Sequence, residues 1–121
     1  MSFQKDSNKK RDDGHKINFE HELRKIVSNV KSNYDPEKII LFGSSTKGYL
    51  TDEGDIDLII IKTTKDDPWK RAAQVDSFID HVVPVDLLIY TPEEIESRLK
   101  INDFLVKDIL ENGIVLYEKG V

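Results

Sequence analysis

Three short strand-like runs, and the helical stretch between the last two, constrain this chain more than any other feature. The runs are Lys38–Phe42 (KIILF), Asp55–Ile61 (DIDLIII) and Val85–Tyr90 (VDLLIY), all rich in β-branched and large aliphatic residues. Between the second and third, Asp67 and Pro68 read as the N-cap and first position of a helix. Trp69, Ala72, Ala73, Val75, Ile79 and Val82 supply its apolar face, and Pro84 supplies its stop. A strand–helix–strand connection is a crossover, which makes its two strands parallel. The link from Gly43 to Gly54 is turn-rich and short, and suits an antiparallel return. The end of the first strand and the starts of the other two then share one edge of a single sheet.

The flanking sequence completes the element order. Phe19, Leu23, Ile26, Val27, Val30 and Tyr34 recur at three- and four-residue spacing in a helix from Ile17, with Asn18 as N-cap and Asp35-Pro36 as its end. Thr91-Pro92-Glu93-Glu94 matches a capping box, in which Glu93 and Glu94 serve the cap and the helix dipole. A further helix over Asp103–Glu111 stops at Asn112-Gly113, and Ile114–Tyr117 forms a last strand. The order α-β-β-α-β-α-α-β predicts an α/β (α+β) fold, a small mixed sheet of about four strands covered by helices.

At 121 residues the chain fits one domain. Residues 1–16, polar apart from Phe3 and including Lys9-Lys10-Arg11, read as a flexible tail, and 17–121 as the folded domain. The absence of cysteine excludes disulfides, thiolate metal sites and cysteine nucleophiles. A net charge of −5 argues against non-specific nucleic-acid binding, which needs a basic footprint. Unbroken apolar runs such as Ile39–Phe42 and Leu58–Ile61 are far short of the ~20 residues that cross a bilayer, so a cytoplasmic protein without membrane contact is expected. His15, His21 and His81 read as surface or boundary residues, and Trp69 as a helix anchor on the core.

Three acids resist a core reading. Asp55 and Asp57 alternate onto one face, about 6.5 Å apart along the strand, and the crossover brings Asp86 to the same edge. Convergent carboxylates repel one another, and burial raises the cost. A cation resolves the conflict, and oxygen ligands without His or Cys favour Mg²⁺, with Mn²⁺ as alternative. Two such ions, ~3.5–4 Å apart, are suited to phosphoryl-type transfer. Gly43-Ser44-Ser45 supplies a close backbone approach, hydroxyls and free amides for an anion, and Lys47 a positive charge.

These residues together resemble the nucleotidyltransferase superfamily of the DNA polymerase β type, in its minimal nucleotidyltransferase (MNT) branch. The resemblance rests on Leu41-Phe42-Gly43-Ser44-Ser45-Thr46-Lys47-Gly48, Gly54-Asp55-Ile56-Asp57-Leu58, Val85-Asp86-Leu87-Leu88 and the closing Gly113-Ile114-Val115-Leu116-Tyr117. It implies transfer of a nucleoside monophosphate, commonly AMP from ATP, to an acceptor hydroxyl. Asp55, Asp57 and Asp86 are then the catalytic and metal-binding residues, and Gly43, Ser44, Ser45 and Lys47 the nucleotide-binding ones. Two departures from the family pattern are Lys47, where arginine is common, and Gly54, where serine is frequent. The resemblance further implies a helical HEPN-domain partner, a ribonuclease toxin that the chain neutralises as antitoxin. A non-catalytic module of the same fold that neutralises by occlusion is the alternative. A receiver-like phosphoacceptor domain fits poorly, since it wants five alternating βα units. The nucleotide, the acceptor and the oligomeric state, a homo-oligomer included, stay open.

Overall fold

The computed structural model describes residues 18–47 and 55–121. The expected tail over 1–16, with Phe3 and His15, lies outside them, as do Ile17, Gly48 and Gly54. In chain order the elements are α1 (Phe19–Tyr34), β1 (Lys38–Phe42), a 3-10 turn (Gly43–Lys47), β2 (Ile56–Ile61), α2 (Pro68–Phe78), β3 (Val85–Tyr90), α3 (Pro92–Lys100), α4 (Phe104–Asn112) and β4 (Ile114–Glu118). The four strands form one sheet in the order β3-β2-β1-β4. β2 pairs antiparallel with β1 and parallel with β3, as the connections require, and β4 adds antiparallel to the other side of β1.

Helices cover the sheet on both faces, and strand alternation divides the core in two. Ile39, Leu41, Ile56, Leu58, Ile60 and Ile89 meet Ile26, Val30 and Tyr34 of α1, and Val75, Ile79 and Val83 of α2 and the segment after it. Ile40, Ile59 and Ile61 face the other way, onto Ile95 of α3 and Val106 and Ile109 of α4. β2 is therefore buried on both sides, which is why its sequence reads as a continuous apolar run instead of an alternation. Each isoleucine or leucine taken fully from water there contributes about 1.5–3 kcal/mol, so β2 is the strand the fold can least afford to disturb.

Local signals fix the element ends. The Asn18 carboxamide accepts the His21 amide, and α1 ends where Asp35 turns left-handed at φ 49°. Thr91 and Glu94 exchange both bonds of the capping box, and the Asp103 carboxylate accepts the Val106 amide at the start of α4. Gly113 has a φ of −71°, so its need is steric and not conformational: a Cβ there would stand 2.5 Å from the Ile109 carbonyl oxygen and from Ile40 Cγ2.

The expected apolar face of α2 needs correction. Trp69 is 72% exposed and Val82 66% exposed, Ala73 is also exposed, and the helix ends at Phe78, well before Pro84. Asp67 occupies the N-cap position without a side-chain cap bond. The inward positions belong to Arg71 and Val75, and Trp69 lies across the helix from them.

Arg71, 5% exposed, links four parts of the chain. Its Nη1 and Nη2 donate to the two Glu94 oxygens at 2.7 and 3.0 Å, Nε to the Asp66 carbonyl at 2.8 Å, and Nη1 also to the Ile89 carbonyl at 3.1 Å. A charge can stay in this position because its donors are used and its partner is bidentate. The Glu94 pKa is held low, chiefly by the hydrogen bond from Arg71. A buried acid, Glu22 on α1, accepts the Val82 amide at 3.0 Å and so holds the approach to β3 against α1.

Replacing Arg71 by Met is expected to cost about 3 kcal/mol of unfolding free energy, since Glu94 loses its bidentate partner and the Ile89 carbonyl its side-chain donor. Arg71→Lys recovers less than half, because an ammonium cannot reproduce the fork. Urea unfolding followed by circular dichroism measures both; a loss under 1 kcal/mol for Arg71→Met contradicts the clamp.

Candidate active site

The register of the sheet puts two carboxylates side by side. Asp57, second residue of β2, stands opposite Phe42 on β1 and opposite Asp86 on β3. All three project on the α3–α4 side of the sheet, two residues before or after Ile59, Leu88 and Ile40 of that core. The row lies past the cluster built around Ile95, Val106 and Ile109, so the acids sit at the rim of that core. Asp57 is half-buried, Asp86 exposed, and Asp55, just before β2, half-buried.

The electrostatics follow from that placement. Partial burial, then the charge of Asp86, a hydrogen bond with Asp86 and the charge of Asp55 push the Asp57 pKa above its ordinary 3.8. Two carboxylates this close hold a proton between them or call for a cation.

The 3-10 turn closes against the same acid. Gly43 has a φ of +68°, and a Cβ on it would lie 2.6 Å from Asp57 Oδ2, so only glycine both makes the turn and leaves room for the carboxylate. The Ser45 hydroxyl, buried, donates to the Phe42 carbonyl at 2.7 Å and accepts the Asp57 amide at 3.2 Å. Thr46 donates its hydroxyl to the Gly43 carbonyl at 2.8 Å. Ser44 and Lys47 are exposed on the turn. Of the residues singled out from the sequence, the structure thus brings Asp57, Asp86, Gly43 and Ser45 into one cluster, with Asp55 at its margin. Ser44 and Lys47 ride on the outer side of the turn. Thr46, quoted in the motif without a role, closes the turn from hydroxyl to backbone.

No three carboxylate or histidine side chains among the described residues form a complete metal cage. The donor set nevertheless suits a hard cation. Mg²⁺ is commonly held by one or two carboxylates while waters and substrate phosphates fill the remaining positions. Asp57 and Asp86, with Asp55 adding charge, fit that description, and their mutual repulsion is the energetic reason to take an ion.

The sign of the Asp57 shift gives a stability test without substrate. A folded-state pKa above the unfolded one makes ionisation costly: the cost is absent below 3.8 and complete above the raised value. Asp57→Asn removes it, so the metal-free variant is expected to melt at higher temperature than wild type at pH 7, with the difference vanishing at the acid end. Thermal melts across pH with chelator present read this out. Equal melting temperatures at pH 7 contradict it.

Comparison with known proteins gives this edge its context. The family described as "Polymerase beta, Nucleotidyltransferase" matches residues 24–120, which span the whole sheet and the acid cluster. A protein of Methanocaldococcus jannaschii named "Putative protein adenylyltransferase" is 32% identical over 103 residues, covering 84% of this chain and all of the relative. A crystal structure of a "putative nucleotidyltransferase" from Sulfolobus solfataricus superposes with a TM-score of 0.54 at 21% identity, over 88% of this chain and 93% of the other, and supports the fold. The acids at the β2–β3 edge, the glycine–serine turn beside them and the match across most of the sequence place this chain in the polymerase beta-type nucleotidyltransferase family.

Proposed function

We propose that the chain transfers AMP from ATP to a hydroxyl group of a partner protein, and that this modification neutralises a helical HEPN-type toxin. The observation that carries the catalytic part is the Asp57–Asp86 pair, set side by side by the parallel register and abutted by Gly43. The relative named as a protein adenylyltransferase supports a protein acceptor and an adenylyl donor. The HEPN partner and the antitoxin role come from the sequence resemblance to the MNT branch.

In this reading the acceptor hydroxyl oxygen attacks the α-phosphorus of ATP. A new P–O ester bond forms, the bond to the β-phosphate oxygen breaks, and pyrophosphate leaves. The hydroxyl proton passes to Asp86, which is exposed and can face the acceptor. Gly43 and Ser44 hold the triphosphate through backbone amides and the exposed hydroxyl, and Lys47 adds a point charge. Asp55, Asp57 and Asp86 would hold divalent ions, Mg²⁺ or Mn²⁺, that offset negative charge on the transferred phosphoryl group and the pyrophosphate. The pK-raising contacts of Asp57 are the stored repulsion that such ions would relieve.

Incubation with α-labelled ATP, Mg²⁺ and a HEPN-type partner tests the proposal. Label is expected on the partner, dependent on Mg²⁺, and reduced at least about a thousandfold by Asp57→Asn, as for loss of a metal ligand that stabilises transition-state charge. The toxin assay separates the occlusion alternative. Asp57→Asn is expected to lose protection; protection as complete as wild type contradicts a catalytic mechanism, and label found only on free nucleotide contradicts the protein acceptor.

A further inference from the structure

We propose that Ser45 is a positioning residue that fixes the backbone of Asp57 and is not itself a nucleotide contact. This inference rests on Asp57 being a ligand in the catalytic site. A serine hydroxyl offers one donor and two acceptor positions. At Ser45 the donor goes to the Phe42 carbonyl at 2.7 Å, and one acceptor position takes the Asp57 amide at 3.2 Å. The residue is 1% exposed, which leaves no face on which a triphosphate can rest. Ser44, its neighbour, is exposed and has the surface that Ser45 lacks.

The place of this bridge explains why it is needed. Phe42 and Asp57 are register partners at the last rung of the β1–β2 ladder. Beyond them the chain leaves the sheet at Gly43, whose φ of +68° turns it aside. A strand end is where backbone frays first, yet here it carries a half-buried carboxylate pushed by Asp86 on one side and Asp55 on another. The Ser45 hydroxyl ties both partners of that rung to the turn. Gly43 meets the same residue from its carboxylate side, where even a methyl would stand 2.6 Å from Oδ2. One five-residue turn therefore ties the Asp57 backbone and leaves room for its carboxylate. Two other members, Ser44 and Lys47, are exposed on the turn, so phosphate seated there and the carboxylate that must act on it are set in register by the same segment.

The test compares Ser45→Ala with Ser44→Ala, wild type and Asp57→Asn. Amide hydrogen exchange, Mn²⁺ titration and steady-state kinetics with ATP are measured on the full chain. For Ser45→Ala the Asp57 amide is expected to exchange about tenfold faster, as for loss of one hydrogen bond, with Ile59 and Ile60 unchanged. Mn²⁺ affinity falls about tenfold, as for loss of an outer support of a ligand; kcat falls with it, and the KM for ATP stays within about twofold. Ser44→Ala shows the converse, a raised KM with wild-type Asp57 exchange. A raised KM in Ser45→Ala with unchanged Asp57 exchange and Mn²⁺ affinity overturns the proposal and makes Ser45 a nucleotide contact. Wild type binding Mn²⁺ no better than Asp57→Asn overturns the ligand role of Asp57 and this inference with it; equal binding by wild type and Ser45→Ala overturns this inference alone. If Ser45→Ala fails to fold, wild type decides: an Asp57 amide exchanging as fast as an unprotected one overturns the proposal, and protection of about tenfold or more supports it.

Discussion

The parallel pairing of β2 with β3 is the constraint on which the rest depends. It sets Asp57 against Asp86, a juxtaposition that costs free energy in the metal-free protein, and the fold supplies that cost from the isoleucines of the same strand. β2 is buried on both faces from Leu58 onward, while its first turnings of backbone, at Ile56 and Asp57, divide between core and site. The strand is thus anchored by its apolar end and presents its acidic end. A one-residue slip would reverse the faces and bury the Asp57 carboxylate among Ile39 and Leu41, so the core enforces the register that the chemistry needs.

Support for this edge is distributed unevenly. The Arg71–Glu94 clamp and the capping box sit near the far end of β3, around Ile89 and Thr91, where they hold α2, β3 and α3 together. At the acid end the structure relies on small residues: Gly43 for clearance and Ser45 for a hydroxyl bridge. That division suits a site that must admit a ligand. Strong ion pairing would compete with phosphate and cation for the same carboxylates, whereas hydroxyl-to-backbone bonds leave those oxygens free.

Much of this was legible in the residues. The strands followed from their β-branched runs, with β2 starting at Ile56, one residue after the expected Asp55, and the parallel crossover followed from the helix between β2 and β3. The side-by-side placement of Asp57 and Asp86 on one edge was a matter of topology alone, with Asp55 at its margin. What escaped was whatever depends on a tertiary partner. Arg71 looks like a solvent-facing helical charge until Glu94, some twenty residues later, is placed beside it. Trp69 looks like a core anchor because size and apolarity do not say which way a helix is rotated. Ser45 reads as a phosphate contact because the sequence shows a serine in a turn and not the two backbone bonds that its hydroxyl makes, to Phe42 and to Asp57. Glu22 has the same character, a buried acid whose partner is an amide sixty residues away.

The central claim is that register brings Asp57 and Asp86 into a repulsive pair that a cation relieves. Its most direct test is the carboxyl-carbon titration of Asp57 by NMR in wild type, in Asp86→Asn, and in wild type with Mg²⁺. The predicted midpoint lies above 3.8 in the metal-free wild type. It falls part of the way in Asp86→Asn, since burial remains the larger cause, and drops further when Mg²⁺ is added. A midpoint at the ordinary carboxylate value that ignores both Asp86 and Mg²⁺ would contradict the account.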